Sequence, residues 1–348
     1  MAGYRPGLIS QGGNKILITK GPRLIEAIKG EFPTIQKFID GLLREQAIYA
    51  HSWNHLAVVP LYNGEITRGQ ILVLAGPVDS GKSVYQNLIV TPMLGGRVAR
   101  PYAFMVKRTD FNEDWFESEH LMCEDETPPR DYETQQLFAA ELKKLAADEN
   151  HWCHGKGKKA ITLPPFWRVT VSVNDSPENM RSIPANDETL KDKMHVLKVY
   201  PDSTVKLVES LGGQKNFANK IREELPAYLY WLLYEFQIPA ELKDTRFGMK
   251  AYQNVEILGA IEETAPHMLL LELLEAEYAG ANKLEKSVLE LAKDLQTPDI
   301  PRGVVPQSPL TLGRYLTSLS KITDAIAKKE TKKKNVYLLT FPEKKSKK

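Results

Sequence analysis

The sequence contains few cysteines and lacks long hydrophobic segments. Among its 348 residues, only Cys123 and Cys153 are cysteines. Two are too few to predict a disulfide framework, so a reducing cytoplasm is the expected compartment. Because there is no run of about 18 apolar residues, the sequence predicts neither a membrane-spanning helix nor a membrane partner. Residues 1–7 also lack a basic region leading into an apolar core, so nothing marks the chain for secretion.

The net charge is small, +2 at pH 7, but it is unevenly distributed. From Lys328 onward, the last 21 residues contain nine lysines and two glutamates. Such a basic end suggests a polyanion as partner, although lysine tails also occur simply as solubilising ends. The length allows one large domain or two to three ordinary domains.

A glycine-bounded loop follows the apolar run at residues 71–75. The loop consists of Gly76, Pro77, Val78, Asp79, Ser80, Gly81, Lys82 and Ser83. A strand, a loop of this pattern and a helix arrange backbone N–H groups around a polyphosphate. Lys82 would reach the β- and γ-phosphates, and the Ser83 hydroxyl would bind Mg²⁺. The alternative is an ordinary glycine-rich turn before a helix.

Acidic residues follow the short apolar run at residues 120–123, and Asp125 lies 43 positions after Lys82. We expect Asp125 to hold Mg²⁺ through water and Glu126 to orient and deprotonate the attacking water. Glu124 would take part instead if the register shifted by one residue. A solvated strand edge is the remaining alternative.

An alternating strand at residues 167–173 ends in Asn174. In a parallel sheet this amide would lie beside the γ-phosphate, on a strand between the two earlier ones. Taken alone, an asparagine at a strand end usually makes only a turn. Its position after a phosphate loop and an acidic strand favours the functional interpretation.

The alternation of apolar strands and amphipathic helices predicts an α/β fold with a parallel P-loop sheet at residues 69–203. The expected strands are residues 71–75, 102–106, 120–123, 167–173 and 195–199, and the expected helices include 83–93 and 132–148. Residues 1–68 should form a helical N-terminal collar, with helical periodicity starting at Pro22 after about 20 poorly ordered residues.

The remaining chain is predicted to be mostly helical. Residues 204–261 read as a helical lid or connector, 262–342 as a winged-helix-like module and 343–348 as a basic tail. Within that module we expect three helices, the third with Ser308 as N-cap and Pro309 at its first position. A hairpin of residues 325–329 and 335–341 should follow. Modules of this outline bind nucleic acid or serve as protein contacts.

Four segments together resemble the superfamily 3 helicases, of the primase-helicase type encoded by phages, plasmids and large DNA viruses. They are the loop at residues 76–83, Phe111-Asn112 with the acidic strand at 123–126, the segment Gly155-Lys156-Gly157-Lys158-Lys159, and the strand at 171–174. The resemblance spans residues 38–200. It implies an AAA+ core, a ring hexamer, and 3′-to-5′ movement on single-stranded DNA driven by ATP.

The resemblance also implies a hairpin between the acidic and asparagine strands, whose basic tip grips the DNA backbone. Lys156, Lys158 and Lys159 occupy that position, and a solvated loop with accidental charge is the alternative. His151, Cys153 and His154 lie beside it; they suggest zinc, but a structural site normally needs a fourth ligand.

The sequence departs from the family where a paired arginine often acts on the neighbouring subunit's nucleotide. At that position this chain has Lys193, which could replace the arginine only weakly. Arg181 is the better candidate for the arginine itself, although a surface salt bridge explains Arg181 nearly as well. The chain lacks room for a primase domain, so a separate primase or polymerase would supply priming.

These features predict an ATP hydrolase that moves on single-stranded DNA as a homo-oligomer, a replicative helicase of a phage or mobile element. One alternative is a switch or assembly scaffold that binds ATP to oligomerise without unwinding. Another is an origin-binding ATPase that loads a different helicase.

Overall fold

A computed structural model describes residues 1–11, 13–124, 132–157, 159–180, 183, 189–263, 266–295, 305–306, 308–330 and 335–342. The chain divides into two compact units, residues 1–259 and 260–348. In the described part of the chain, no helix is both long and apolar enough to cross a lipid bilayer.

The strands are, in chain order, β1 (Gly7–Gln11), β2 (Asn14–Ile18), β3 (Ile71–Gly76), β4 (Val98–Ala99), β5 (His120–Cys123), β6 (His151–Cys153), β7 (Ile161–Leu163), β8 (Arg168–Asn174), β9 (Met194–Lys198), β10 (Lys243–Asp244), β11 (Gly248–Met249), β12 (Leu284–Ser287), β13 (Ile326–Glu330) and β14 (Asn335–Leu339). The α-helices are Pro33–Leu43, Ala47–Asn63, Lys82–Val84, Thr91–Met93, Tyr102–Met105, Tyr132–Ala147, Pro177–Met180, Asp202–Ser210, Gln214–Tyr230, Val255–Glu263, Pro266–Glu277, Val288–Asp294 and Pro309–Ile322. Wider π-type turns occupy Tyr85–Val90 and Trp231–Glu235, and short 3₁₀ helices occupy Arg44–Gln46, Glu113–Glu117 and Ala240–Leu242.

The first unit is built on a five-stranded sheet with the order β4-β5-β8-β3-β9. All of its pairings are parallel. Strands β3 and β5 are buried along their whole length, as expected when both faces of a parallel sheet are covered. The predicted α/β fold with a parallel P-loop sheet is confirmed. Because the strands are parallel, the residues that follow β3, β5 and β8 meet at one edge of the sheet.

Two predictions about the N-terminal region were wrong. Strands β1 and β2 pair antiparallel, with Leu8 opposite Leu17, where poorly ordered chain was expected. Residues 19–32 contain neither helix nor strand, and the first helix begins only at Pro33. Its N-terminus is capped from a distant part of the chain, because the Glu224 carboxylate accepts hydrogen bonds from the backbone N–H groups of Thr34 (2.7 Å) and Ile35 (3.0 Å).

The prediction of a strand at residues 102–106 was also wrong. Tyr102–Met105 forms a short helix, and the sheet strand at this point is the two-residue β4. Tyr102 and Met105 are both buried, and their three-residue separation places them on one side of a helical turn. A short apolar run can form a buried strand or one turn of a buried helix, so the composition of residues 102–106 could not distinguish the two.

Two buried histidines make the stability of the first unit depend on pH. Burial lowers the pKa of both His120 and His195 to about 3, from an ordinary 6.5. His195 Nδ1 accepts the Tyr252 N–H (3.1 Å), and its Nε2 lies 2.9 Å from the Gln70 Oε1. A second proton on Nδ1 would face the N–H of Tyr252, so the folded chain keeps this ring neutral.

We therefore expect acid to destabilise the fold well before the carboxylates titrate. Below about pH 6.5 the unfolded chain takes up protons that the folded chain cannot, so the free energy of unfolding falls with pH. Between pH 6.5 and about 5, each of the two histidines should lower the free energy of unfolding by about 2 kcal/mol. Urea unfolding of the protein and of His195→Gln, measured across this range, tests the prediction. An unchanged pH dependence in the variant would rule out His195 as a source.

In its described residues, the second unit combines the helices Pro266–Glu277, Val288–Asp294 and Pro309–Ile322 with an antiparallel sheet of order β12-β14-β13. The third helix has Ser308 at its N-cap and Pro309 in its first turn, as predicted. The expected hairpin is present, with Lys328 opposite Tyr337. The buried Tyr337 hydroxyl lies 2.8 Å from the Thr317 Oγ1 and donates to the Gly313 carbonyl (3.0 Å), joining sheet and helix. Residues 331–334 and the predicted tail at 343–348 lie outside the described residues.

Candidate functional site

The loop at residues 76–83 leaves the carboxyl end of β3 with backbone angles that favour its glycines. Gly81 has φ +101°, in the left-handed region. A Cβ atom at Gly76 would lie only 2.7 Å from the Val199 carbonyl oxygen. Asp79 adopts a positive φ of 56°, which an aspartate tolerates better than most residues do. The loop is therefore held in a tight curve against β9 and the helices that flank it.

Lys82 is buried, with only 4% of its surface exposed, and its ammonium lies inside the loop. Its Nζ donates to the carbonyl oxygens of Gly76 (2.8 Å) and Pro77 (2.5 Å) and to Ser80 Oγ (3.4 Å). It also donates to Asn174 Oδ1 (3.1 Å), on the neighbouring strand. The loop thus concentrates a positive charge at the carboxyl edge of the sheet, where an anion would meet it.

Asn174 reaches this position because of the register of the sheet. Strand β8 lies between β3 and β5, and Asn174 is the residue opposite Gly76. The sequence reasoning expected this amide on a strand between the two others, and the strand order agrees. Asn174 and Lys82 are thus brought together, while the part played by Asn174 in a reaction stays a prediction.

Glu124 follows β5 at the same edge and is held by two residues that sequence reasoning missed. Its carboxylate forms an ion pair with Arg100 and accepts a hydrogen bond from Asn87 Nδ2 (3.0 Å). Asn87 Nδ2 also donates to the Ser83 carbonyl (2.8 Å), one helical turn back. The end of the acidic strand is thereby tied to the helix that carries Ser83. Asp125 and Glu126 lie outside the described residues.

A cavity of about 650 Å³ adjoins residues 78–83 of the loop. Its floor is the loop and the first turns after it, and its wall comes from the two helices Asp202–Ser210 and Gln214–Tyr230. Most of the wall is apolar, with Leu88, Val205 and Val208 among the lining residues. Half of Val205 is exposed, so this wall is open to a flat apolar group.

Lys193 lies at the opposite edge of the sheet from the loop, because it directly precedes β9. It is buried, and its Nζ donates to the Thr189 carbonyl (2.6 Å) and to Asp192 Oδ1 (2.7 Å). Asp192 also pairs with Arg246. The structure therefore does not bring Lys193 to the loop of its own chain. Arg181 lies outside the described residues.

Between β5 and β8 the chain forms the antiparallel hairpin β6–β7, with His151 opposite Leu163. Lys156 and Lys159 are exposed in the turn, and Lys158 lies outside the described residues. His151 and Cys153 are on β6, with His154 directly after them. In the described ranges, no three His, Cys, Asp or Glu side chains are grouped so that they could hold a metal ion.

Known structures resemble this chain in fold, whereas no curated sequence matches it. No protein-family model matches the chain, and no curated protein sequence matches it either. Two apo structures of the NrS-1 C-terminal region superpose with TM-scores of 0.58 and 0.57, at 10% and 11% identity. In both cases the alignment covers 97% of this chain and 83% of the other.

A structure of JCV helicase aligns over 69% of this chain and 61% of its own, at 14% identity. Its TM-score of 0.37 is too low to support a common fold. At an identity near 10%, the NrS-1 superposition shows a shared fold and does not extend to activity. The chain has the fold of the NrS-1 C-terminal region over nearly its whole length.

Proposed function

We propose that this chain is an ATP-driven motor on single-stranded DNA, a ring-forming AAA+ helicase of the superfamily 3 type. The observation that carries the proposal is the buried Lys82 ammonium, placed between the carbonyls of its loop and Asn174 at the carboxyl edge of a parallel sheet. Ligands of open α/β sheets bind at this edge, where loops follow adjacent strands.

The loop fits a nucleoside triphosphate with Mg²⁺. Gly76 and Gly81 permit the tight curve of the loop, whose backbone N–H groups would bind the phosphates, and Lys82 would supply the positive charge for the β- and γ-phosphates. Ser83 and Asp125 would hold the metal ion, which when bound neutralises the charge of the phosphate oxygens. Of the other loop residues, Val78, Asp79 and Ser80 would contribute backbone N–H groups, whereas Pro77, which has no N–H, accepts from Lys82 through its carbonyl.

The apolar cavity beside the loop fits the adenosine half of ATP. A purine is flat and apolar on its faces, and ligand pockets are lined mostly by apolar side chains. Leu88, Val205 and Val208 provide such a lining next to the phosphate loop. Val205 and Val208 lie on one helix, Asp202–Ser210, and belong to the segment 204–261, which we propose as a lid over the nucleotide.

Hydrolysis requires a base and a residue that orients the attacking water. We assign both roles to Glu126, with the Asn174 amide beside the γ-phosphate. The ion pair of Arg100 with Glu124, and the hydrogen bond from Asn87, support this assignment, because they fix the start of the acidic segment beside Ser83.

A cation from the neighbouring subunit would complete the site. Arg181 is the first candidate for that cation. Lys193 could serve only after leaving Thr189 and Asp192, its present partners.

DNA would be held by Lys156, Lys158 and Lys159, on the hairpin between the acidic and asparagine strands. Phosphate contacts of this kind carry no sequence information, which suits a motor that moves along any strand. A separate primase or polymerase would be the partner in replication. The second unit, with residues 262–342 as a winged-helix-like module, would add a further DNA or protein contact.

Assembly in the presence of ligands tests this proposal. Mass photometry of the full chain with ATPγS and a single-stranded oligonucleotide should show a species of about six chain masses. Without either ligand, smaller species should dominate, because the subunit interface would include the nucleotide. A monomer under all conditions would contradict a ring motor.

A further inference from the structure

Three aromatic side chains, Trp152, His154 and Phe111, form a row at the hairpin β6–β7, near its lysines. Trp152 is 54% exposed, and Phe111, on the segment before β5, is 41% exposed. The His154 ring lies between them, with its centroid 5.0 Å from that of Trp152 and 5.2 Å from that of Phe111. Large aromatic groups exposed side by side commonly mark a binding surface.

A buried asparagine holds the backbone beneath the row. Asn112, which is buried, donates from Nδ2 to the Trp152 carbonyl (2.9 Å) and accepts the His154 N–H at Oδ1 (2.8 Å). Its own N–H donates to the His154 carbonyl (3.1 Å). These three bonds hold the backbone next to Phe111 against the hairpin, so the points from which the three rings project are fixed relative to one another.

The charges around the row suit a polyanion that also carries flat groups. Lys156 and Lys159 are exposed in the turn that follows Trp152 and His154. Arg108 is exposed on the segment leading to Phe111, with its guanidinium over the Tyr102 ring, and the acidic residues of this segment nearest to Phe111 are Asp110, Glu113 and Asp114. Single-stranded nucleic acid presents this combination, because its backbone is charged and its bases are free to stack.

We propose that Trp152 is a nucleobase-stacking platform for single-stranded DNA, with His154 and Phe111 supporting its ring. The inference rests on the proposed function and adds to it: the lysines would contact phosphates, whereas the indole would contact a base. A structural role explains Trp152 poorly, because half of its side chain packs against nothing in the described chain. An aromatic ring can stack on any DNA base, which suits a motor that moves along strands of any sequence.

Binding of two labelled strands of equal length separates base contacts from backbone contacts. One is a thymidine oligonucleotide and the other is an abasic strand with the same phosphates. We expect Trp152→Leu to weaken thymidine-strand binding at least about fivefold, the lower end for one stacked base. Abasic-strand binding should not change. Trp152→Phe, which keeps an aromatic face, should restore most of the difference.

Two further variants make the outcome decisive. Tyr234→Ala removes another highly exposed ring from the same unit and should leave both affinities unchanged. The double substitution Lys156→Ala with Lys159→Ala should weaken both strands equally. Equal binding of the thymidine strand by the protein and by Trp152→Leu would overturn this inference alone. If the protein bound neither strand, the proposed function would fail, and the inference with it.

Discussion

Replacing Lys82 with alanine should reduce ATP turnover by at least about a hundredfold, the effect typical of losing one preorganised charge in a phosphoryl-transfer site. The ammonium is positioned before any ligand arrives, because two carbonyls and Asn174 already bind it. Steady-state phosphate release by the full chain measures the effect.

Lys206→Ala is the matched control for Lys82→Ala. Lys206 is exposed on the helix Asp202–Ser210, which also lines the cavity beside the loop, so its loss removes a charge without touching the loop. Turnover should be nearly unchanged in this variant. If Lys82→Ala kept the turnover of the unmodified protein, the assignment of the loop as the nucleotide site would be wrong.

The largest expected effect on stability comes from Arg168, at the start of β8. Its side chain is only 2% exposed, and burial lowers its pKa to about 9. The guanidinium donates to the carbonyls of Thr67 (2.9 Å), Trp167 (2.8 Å) and Leu56 (3.0 Å), and to Thr67 Oγ1 (3.0 Å). It therefore joins the connection before β3 to the start of β8.

Arg168→Met should lower the free energy of unfolding by about 3 kcal/mol or more, because it leaves buried carbonyl groups without donors. Because methionine keeps much of the apolar stem of arginine, the loss of stability measures mainly the contribution of the hydrogen bonds. Thr67→Val removes a single one of these bonds and should cost about 1 kcal/mol. Urea unfolding at neutral pH measures both. If Arg168→Met were as stable as the unmodified protein, the cost of desolvating the guanidinium would equal the stabilisation from its hydrogen bonds, and the prediction would be wrong.

Sequence alone predicted the strands that matter for the site. Strands β3, β5 and β8 are buried runs, and each ends next to a glycine or polar residue. That pattern arises because a parallel sheet is covered on both faces and its functional groups follow the strand ends. The order of the motifs along the chain was therefore enough to predict that Asn174 would lie beside the loop.

Sequence reasoning failed where a structure depends on distant or very short contacts. The helix Pro33–Leu43 has a proline in its first turn, a start signal that the apolar spacing from Pro22 onward outweighed, and its cap, Glu224, lies about 190 positions away. Strand β4 has only two residues, too few for any periodicity to be visible. The partners of Glu124 are side chains on two other elements, Arg100 and Asn87, and no local pattern connects the three.

The most direct test of the account is the rate of ATP hydrolysis by the full chain, measured with increasing single-stranded DNA and separately with duplex DNA. A motor whose hairpin grips a strand inside a ring should hydrolyse ATP faster when single strands are added, with a much weaker response to blunt duplex. Turnover that is the same with and without DNA, or an absence of turnover under either condition, would contradict the assignment as a DNA-dependent motor.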